Sequence, residues 1–246
     1  MRQLATVVLF LLVSLQGASA WATAVSINPV RVHLSAGKRS EVLLLKNGGS
    51  APARFQLAAF AWQESSDGEM KLYPTGDLLF FPSLLEIKPG ETRRVRVAST
   101  LTPGSKERSY RVVASELPGP SKSGVVQVLT NLNIPVFVQA VEAPPKPRVT
   151  SRIVKGELLV SVENVGLSYF RTESVRVVAR SKQGAPLYEH TLRGWYVLAG
   201  GRRDYRLQLP KGACAQVESV SATATTENGK TRVSGLLRVQ QRPDCG

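Results

Sequence analysis

The sequence predicts an all-β protein built as two β-sandwich domains in tandem. Three observations predict it. Short apolar-rich segments bounded by turn residues fill the chain, a proline-rich break divides it, and one strand pattern recurs on either side of that break.

Val25–Leu34, Glu41–Lys46, Ala53–Trp62, Thr92–Ala98 and Tyr110–Glu116 are rich in β-branched, leucine and aromatic residues, and Gly, Pro, Asn or Ser bound them. That is the composition of strands and turns. Thr92–Val97 alternates polar with apolar residues, the period of a half-buried strand. No window of about a dozen residues keeps a helical apolar period with caps at both ends. Gly76–Leu85 carries no clear period and is predicted to be irregular. Short strands at this spacing stack as sandwiches.

Glu142–Pro147 holds three prolines and cannot pair as a central strand. It is the predicted linker, 142–147, between domains at 21–141 and 148–246. The two halves then resemble each other. Val42–Lys46 leads into Asn47-Gly48, and Leu158–Glu163 leads into Asn164-Val165-Gly166. Later, Ile87-Lys88-Pro89-Gly90 precedes the basic pair Arg93-Arg94 and an alternating strand. Val197-Leu198-Ala199-Gly200 likewise precedes Arg202-Arg203 and a strand. Asn and Gly tolerate the positive φ of tight turns.

Residues 1–20 read as a secretory signal peptide. Arg2 is the positive end, Leu4–Leu15 an apolar run too short to span a bilayer, and Ala18-Ser19-Ala20 a small-residue cleavage site. Export then predicts an oxidising compartment, where the two cysteines, Cys214 and Cys245, are expected to pair; two free thiols are the alternative. The formal net charge is +14. The basic residues are scattered along strands instead of forming one arm or helix, which argues against a nucleic-acid partner. No later apolar run reaches spanning length, so no stable membrane insertion is expected.

The residues of catalysis are missing. His33 and His190 are the only histidines, each alone on a strand pattern. There is no cluster at metal-ligand spacing, no nucleophile elbow and no phosphate-binding glycine loop. Glu64, Asp67 and Glu69 surround Ser65-Ser66-Asp67-Gly68, which reads as a solvated hairpin turn. The expectation is a binding protein without a cofactor, not an enzyme.

Three local features together resemble one family. They are Ala24–Arg31 at the mature start, then Phe81-Pro82, Ile87–Gly90, Val95-Arg96-Val97, Tyr110-Arg111 and Glu116-Leu117-Pro118, and finally Val125–Val138 with its Ile-Pro-Val-Phe-Val ending. Their order and spacing are similar to the PapD-like periplasmic chaperones of the chaperone–usher pathway, and most of all to the branch serving spore-coat-U-type, or archaic, pili. The resemblance implies two immunoglobulin-like domains in a boomerang, located in the periplasm. It implies a chaperone that binds pilus or fimbrial subunits by donor-strand complementation and delivers them to an outer-membrane usher. An exported immunoglobulin-like adhesion or structural module is the alternative.

The donor strand would lie in Val125–Val138. Val126, Val128, Thr130 and Leu132 share one parity and are the residues expected to enter a subunit; a one-residue register shift selects Val125, Gln127 and Leu129 instead. A core strand of this domain alone is the competing reading. The resemblance further implies that basic side chains in the cleft anchor a subunit's C-terminal carboxylate. Arg31 falls where the family's first-strand arginine falls, although it would also suit an outward-facing strand position. Better-known members carry a lysine late in the donor strand. Here Pro135 takes that place and no lysine lies between Val125 and Val138, so the second cation is missing or comes from elsewhere, with Arg111 the first candidate to supply it and Arg96 the next. An unprotected apolar edge also makes self-association of the free protein an expectation.

Overall fold

The structure is a computed structural model, and it describes residues 24–65, 67–120, 127–139, 144–210, 212–227, 231–239 and 245. The predicted signal peptide, residues 1–20, lies outside these, as do Val126 and the start of the predicted linker. Among the described residues no helix is long and apolar enough to cross a membrane.

The first half runs β1 (Val25–Asn28), β2 (Val32–Leu34), β3 (Ser40–Asn47), β4 (Ala53–Glu64), β5 (Met70–Pro74), β6 (Leu78–Phe81), β7 (Leu84–Ile87), β8 (Thr92–Ser99), β9 (Arg108–Leu117) and β10 (Asn131–Val138). One sheet has the order β1-β3-β8-β6. The other has the order β2-β10-β9-β4-β5, with β7 also on β4. Between them lies a core that includes Leu43, Leu45, Phe55, Ile87, Val95, Val97, Tyr110, Val112, Ile134 and Val136.

The second half runs β11 (Pro147–Val154), β12 (Glu157–Asn164), β13 (Phe170–Arg180), β14 (Pro186–Arg193), β15 (Tyr196–Val197), β16 (Arg202–Gln208), β17 (Ser219–Thr226) and β18 (Arg232–Arg238). A sheet ordered β11-β12-β16 faces one ordered β14-β13-β17-β18, with β15 on β13. Leu158, Val160, Val162, Val175, Val177, Val220 and Ala222 fill the space between. Cys214 and Cys245 form a disulfide with Cα atoms 5.9 Å apart. The molecule is therefore all-β, with two sandwiches.

Three segments differ from the sequence reading. Val25–Leu34 is two strands, because Pro29 has no N–H to continue a ladder. β1 pairs with β3 in one sheet and β2 with β10 in the other, so the chain crosses between sheets at Pro29. Gly76–Leu85 is not irregular. It holds β6 and the start of β7, which lie in different sheets on either side of Pro82. Four-residue strands are too short to display a period. Finally, β10 begins at Asn131, so 127–130 is not strand.

The internal repeat is a repeat of hydrogen bonding. Asn47 ends β3 and Asn164 ends β12, and both are fully buried. Asn47 Nδ2 donates to the Ala51 carbonyl at 2.8 Å and the Ile87 carbonyl at 2.9 Å, while its Oδ1 accepts from Gly49 N–H at 2.9 Å. Asn164 Nδ2 donates to the Ser168 carbonyl at 2.8 Å and the Val197 carbonyl at 3.1 Å, and its Oδ1 accepts from Gly166 N–H at 3.0 Å. Ile87 and Val197 are the apolar residues that open the two matching turns. Gly90 and Gly200 follow them at φ 75° and 70°, where a side chain would be strained.

Candidate functional site

Where the sandwiches meet, aromatic rings from both halves pack together. Trp62 on β4 and Phe137 on β10 bury themselves with Tyr196 and Leu198, and Tyr169 packs against them. The Phe137 and Tyr169 rings stack with centroids 3.7 Å apart and planes 12° apart. The alternation of β10 explains the contact. Leu132, Ile134, Val136 and Val138 pack on the first sandwich's own core, which turns Phe137 the other way, toward the second.

Arg31 sits at the edge of this cluster, immediately before β2. Its Nε donates to Tyr196 Oη at 3.0 Å and one terminal nitrogen to Tyr169 Oη at 3.1 Å. The two terminal nitrogens reach both oxygens of Glu227, at 3.0 and 3.2 Å. Arg171, second residue of β13, donates to the same carboxylate at 3.1 Å. Burial works against the Arg31 charge, but Glu227 and the tyrosine oxygens outweigh it and hold its pKa above the ordinary arginine value. The hydrogen bond from Arg31 chiefly holds the Glu227 carboxyl below its usual range. His33 is half-buried beside them, its Nε2 3.4 Å from Tyr169 Oη and its Nδ1 3.3 Å from Gln139 Nε2. Burial and then the Arg31 charge push its pKa below the usual imidazole value.

Arg111, on β9, lies deeper. It is 4 % exposed, with its guanidinium carbon 3.7 Å from the Trp62 ring centroid and 5.5 Å from that of Tyr196. Its Nε and one terminal nitrogen are buried without a hydrogen-bond partner. Burial lowers its pKa to about 10, which leaves it charged at neutral pH. The cleft thus brings Arg31 and Arg111 to one aromatic cluster, Arg31 at the opening and Arg111 behind the rings.

Two carboxyls tie the halves together at the back. Glu64, expected in a solvated turn, instead ends β4 half-buried, where its Oε2 accepts from Leu198 N–H at 3.0 Å. Glu107 is buried, accepts from Tyr169 N–H at 2.9 Å and donates its own N–H to the Leu167 carbonyl at 2.9 Å. Burial pushes both up to about 7. They line a cleft of about 500 Å³ with Lys106, Asp77 and the Gly200 turn. Arg203 of the second half also donates to the Gly68 carbonyl at the tip of the β4–β5 hairpin at 3.0 Å.

β10 presents an edge. Only Val136, Phe137 and Val138 pair with β2, in parallel. Among the described residues no strand pairs with the same side of Asn131–Pro135. Just before it, Val128 is 80 % exposed and Leu129 42 % exposed. Thr130 is held by Glu116, whose carboxylate accepts from its N–H and whose N–H donates to its carbonyl, both at 2.9 Å. Leu132, expected to face outward with Val128, instead packs partly buried against its own sandwich. Val126 lies outside the described residues. Sequence reasoning missed Arg171, Glu227, Glu64 and Glu107 at this site. No local signal marks any of them: Arg171 stands in the polar run Arg171–Ser174 that follows Phe170 in β13.

Nothing among the described residues could hold a metal ion as a His, Cys, Asp or Glu cluster. Residues 24–142 match the family model described as pili and flagellar-assembly chaperone, PapD N-terminal domain. No curated protein sequence matches the chain. Its fold is similar to the CsuC–CsuE chaperone–tip adhesion subunit complex of archaic Csu pili from Acinetobacter baumannii, at 17 % identity, TM-score 0.61, 87 % of this chain and 97 % of that one. It is similar to the Salmonella enterica SafB chaperone complex with the SafA pilin, at 17 % identity, TM-score 0.55, 88 % of this chain and 97 % of that one. It is also similar to the E. coli chaperone DraB, at 17 % identity, TM-score 0.54, 89 % of this chain and 98 % of that one. At such identities the likeness is one of fold.

Proposed function

The chain belongs, through its first domain, to the PapD-like pili and flagellar-assembly chaperones, and from that premise we propose that it stabilises pilus subunits by lending them the edge of β10. The observation that carries the proposal is the junction of that edge with the cleft. Val136 pairs with Val32, so the unpaired run Asn131–Pro135 ends level with Arg31. A subunit strand added along this edge gains main-chain hydrogen bonds. Its terminal carboxylate arrives at the arginines, where charge-assisted bonds fix its register.

The exposed apolar side chains ahead of the strand, Val128 and Leu129, extend the surface offered to a subunit's groove. Each such side chain, once covered, contributes about 1.5–3 kcal/mol. Arg31 makes the direct contact, and Arg111 adds positive charge from behind the rings. The subunit is held until an outer-membrane usher takes it, in the periplasm. In the free protein the same edge is where two copies would pair. The role is binding, with no cofactor.

Co-expression with a pilin-like subunit tests this. The wild type protects the subunit from proteolysis and co-purifies with it. Val128→Asp weakens recovery while its melting temperature stays unchanged, since the side chain touches little else. Arg31→Glu abolishes recovery, and Arg31→Lys retains part of it. Full recovery with Arg31→Glu sinks the anchoring role; no recovery with the wild type sinks the chaperone.

A further inference from the structure

We propose that Arg31 and Arg171 together form the carboxylate site of the cleft, and that Glu227 occupies it in the free chain as a placeholder which a partner's C-terminal carboxylate displaces. The inference rests on Arg31 being the anchor.

The site is already built around a carboxylate. Glu227 Oε1 accepts from both arginines, at 3.2 Å from Arg31 and 3.1 Å from Arg171, while Oε2 accepts from Arg31 at 3.0 Å. Two cations on one carboxylate leave a net positive charge, so the site retains attraction for a second anion. Tyr196 and Tyr169 accept two further Arg31 hydrogens, from Nε and one terminal nitrogen, and hold the guanidinium plane in one orientation. A fork fixed in this way prefers a planar, two-oxygen ligand.

Glu227 is placed to leave. It follows the last residue of β17, and the hairpin closes before it: Thr226 N–H donates to the Thr231 carbonyl at 2.9 Å, and Thr231 N–H donates to Thr226 Oγ1 at 3.2 Å. Withdrawing the Glu227 side chain therefore breaks no rung of the β17–β18 ladder. Its side chain is 35 % exposed, so water reaches the carboxylate that has to be exchanged.

Arg171 also answers the missing lysine of β10. The second cation comes from the other sandwich. Its side chain is 39 % exposed, whereas Arg111 is almost wholly covered. With one arginine on each side of the cleft, a bound carboxylate bridges the two domains, and Glu227 substitutes for that bridge while the partner is absent.

The test uses the mature full-length protein and two synthetic probes, an acetylated octapeptide of alternating Val and Thr with a free C-terminal carboxylate, and the same peptide as its C-terminal amide. Calorimetry reads both affinities. Wild type prefers the carboxylate form by about tenfold, the size of a charged hydrogen bond. Glu227→Gln tightens the carboxylate form by about fivefold or more, on the same reasoning, and leaves the amide form unchanged. Arg171→Gln weakens only the carboxylate form, and Arg171→Lys restores part of it. Three results overturn the proposal: no carboxylate preference in wild type or Glu227→Gln, no gain in Glu227→Gln, or an equal change for both probes in Arg171→Gln. A pilin-like subunit co-purified with each variant separates the two readings. Equal recovery from wild type, Glu227→Gln and Arg171→Gln keeps the chaperone and overturns the placeholder. Failure to recover the subunit with wild type overturns the chaperone, while the peptides still decide the site.

Discussion

The guanidinium of Arg111 lies 3.7 Å from the centroid of the Trp62 ring, with two of its nitrogens buried and unpaired. A cation in that position gains from the ring face but has lost its water, and a hydrophobic residue of similar volume often serves stability as well or better. Arg111→Met is therefore expected to leave thermal stability unchanged or raise it, by up to about 1–3 kcal/mol. Recovery of a co-expressed pilin-like subunit is expected to fall. A clear drop in melting temperature would show that Arg111 holds the fold and not the partner.

Glu107 sets a pH dependence. Burial raises its pKa from 4.5 to about 7, so the folded protein binds the proton more tightly than the unfolded chain does. The stability from this group is full below about pH 4.5 and is lost as pH rises through about 7. Glu107→Gln cannot ionise. Between about pH 5 and about pH 8 its stability relative to wild type should rise by roughly 1–3 kcal/mol. Parallel melting-temperature profiles for the two proteins across that range would refute the assignment.

Asn47 and Asn164 should both be costly to remove, Asn164 at least as much as Asn47. Alanine at position 47 leaves two carbonyls and one N–H without the side-chain partner, and alanine at position 164 leaves three carbonyls and two N–H groups. Each substitution is expected to cost about 2–4 kcal/mol in urea unfolding. A loss below about 1 kcal/mol at either site would mean that water replaces the amide there.

The Cys214–Cys245 bridge closes a loop of 31 residues. Replacing both cysteines with serine should destabilise the second sandwich by about 3–4 kcal/mol. Hydrogen exchange should quicken in β17 and β18 while β4 and β9 keep their protection. Equal loss in both sandwiches would mean that they unfold as one unit.

The fold was legible because strand chemistry is local. Alternation in Thr92–Val97 and the Asn-Gly turns could be read from neighbours alone, and the twin asparagines gave the repeat a physical basis. The cleft was only partly legible. Arg31 stood out as a charge among apolar residues, but Glu227 meets it from 196 positions away, and no local pattern encodes that meeting. Glu64 misled for the opposite reason. Its neighbours Ser65, Asp67 and Gly68 do form a turn, with Gly68 N–H donating to the Ser65 carbonyl at 2.9 Å. Glu64 itself is the last residue of β4 and points at Leu198.

The three-residue pairing of β2 with Val136–Val138 has one more effect. It is a wall across the end of the β10 edge, and Arg31 stands at its foot. A guest strand whose terminus rests there must point toward β2 and so travel in the same direction as β10. Its residues are then numbered backward from that stop, about 3.3 Å apiece, and every second one is assigned to the same face. Under the proposed anchoring the edge would be a ruler with its zero at Arg31. If the proposed anchoring holds, one residue added or removed next to the guest's C-terminus shifts the register by one and turns the guest's opposite face inward.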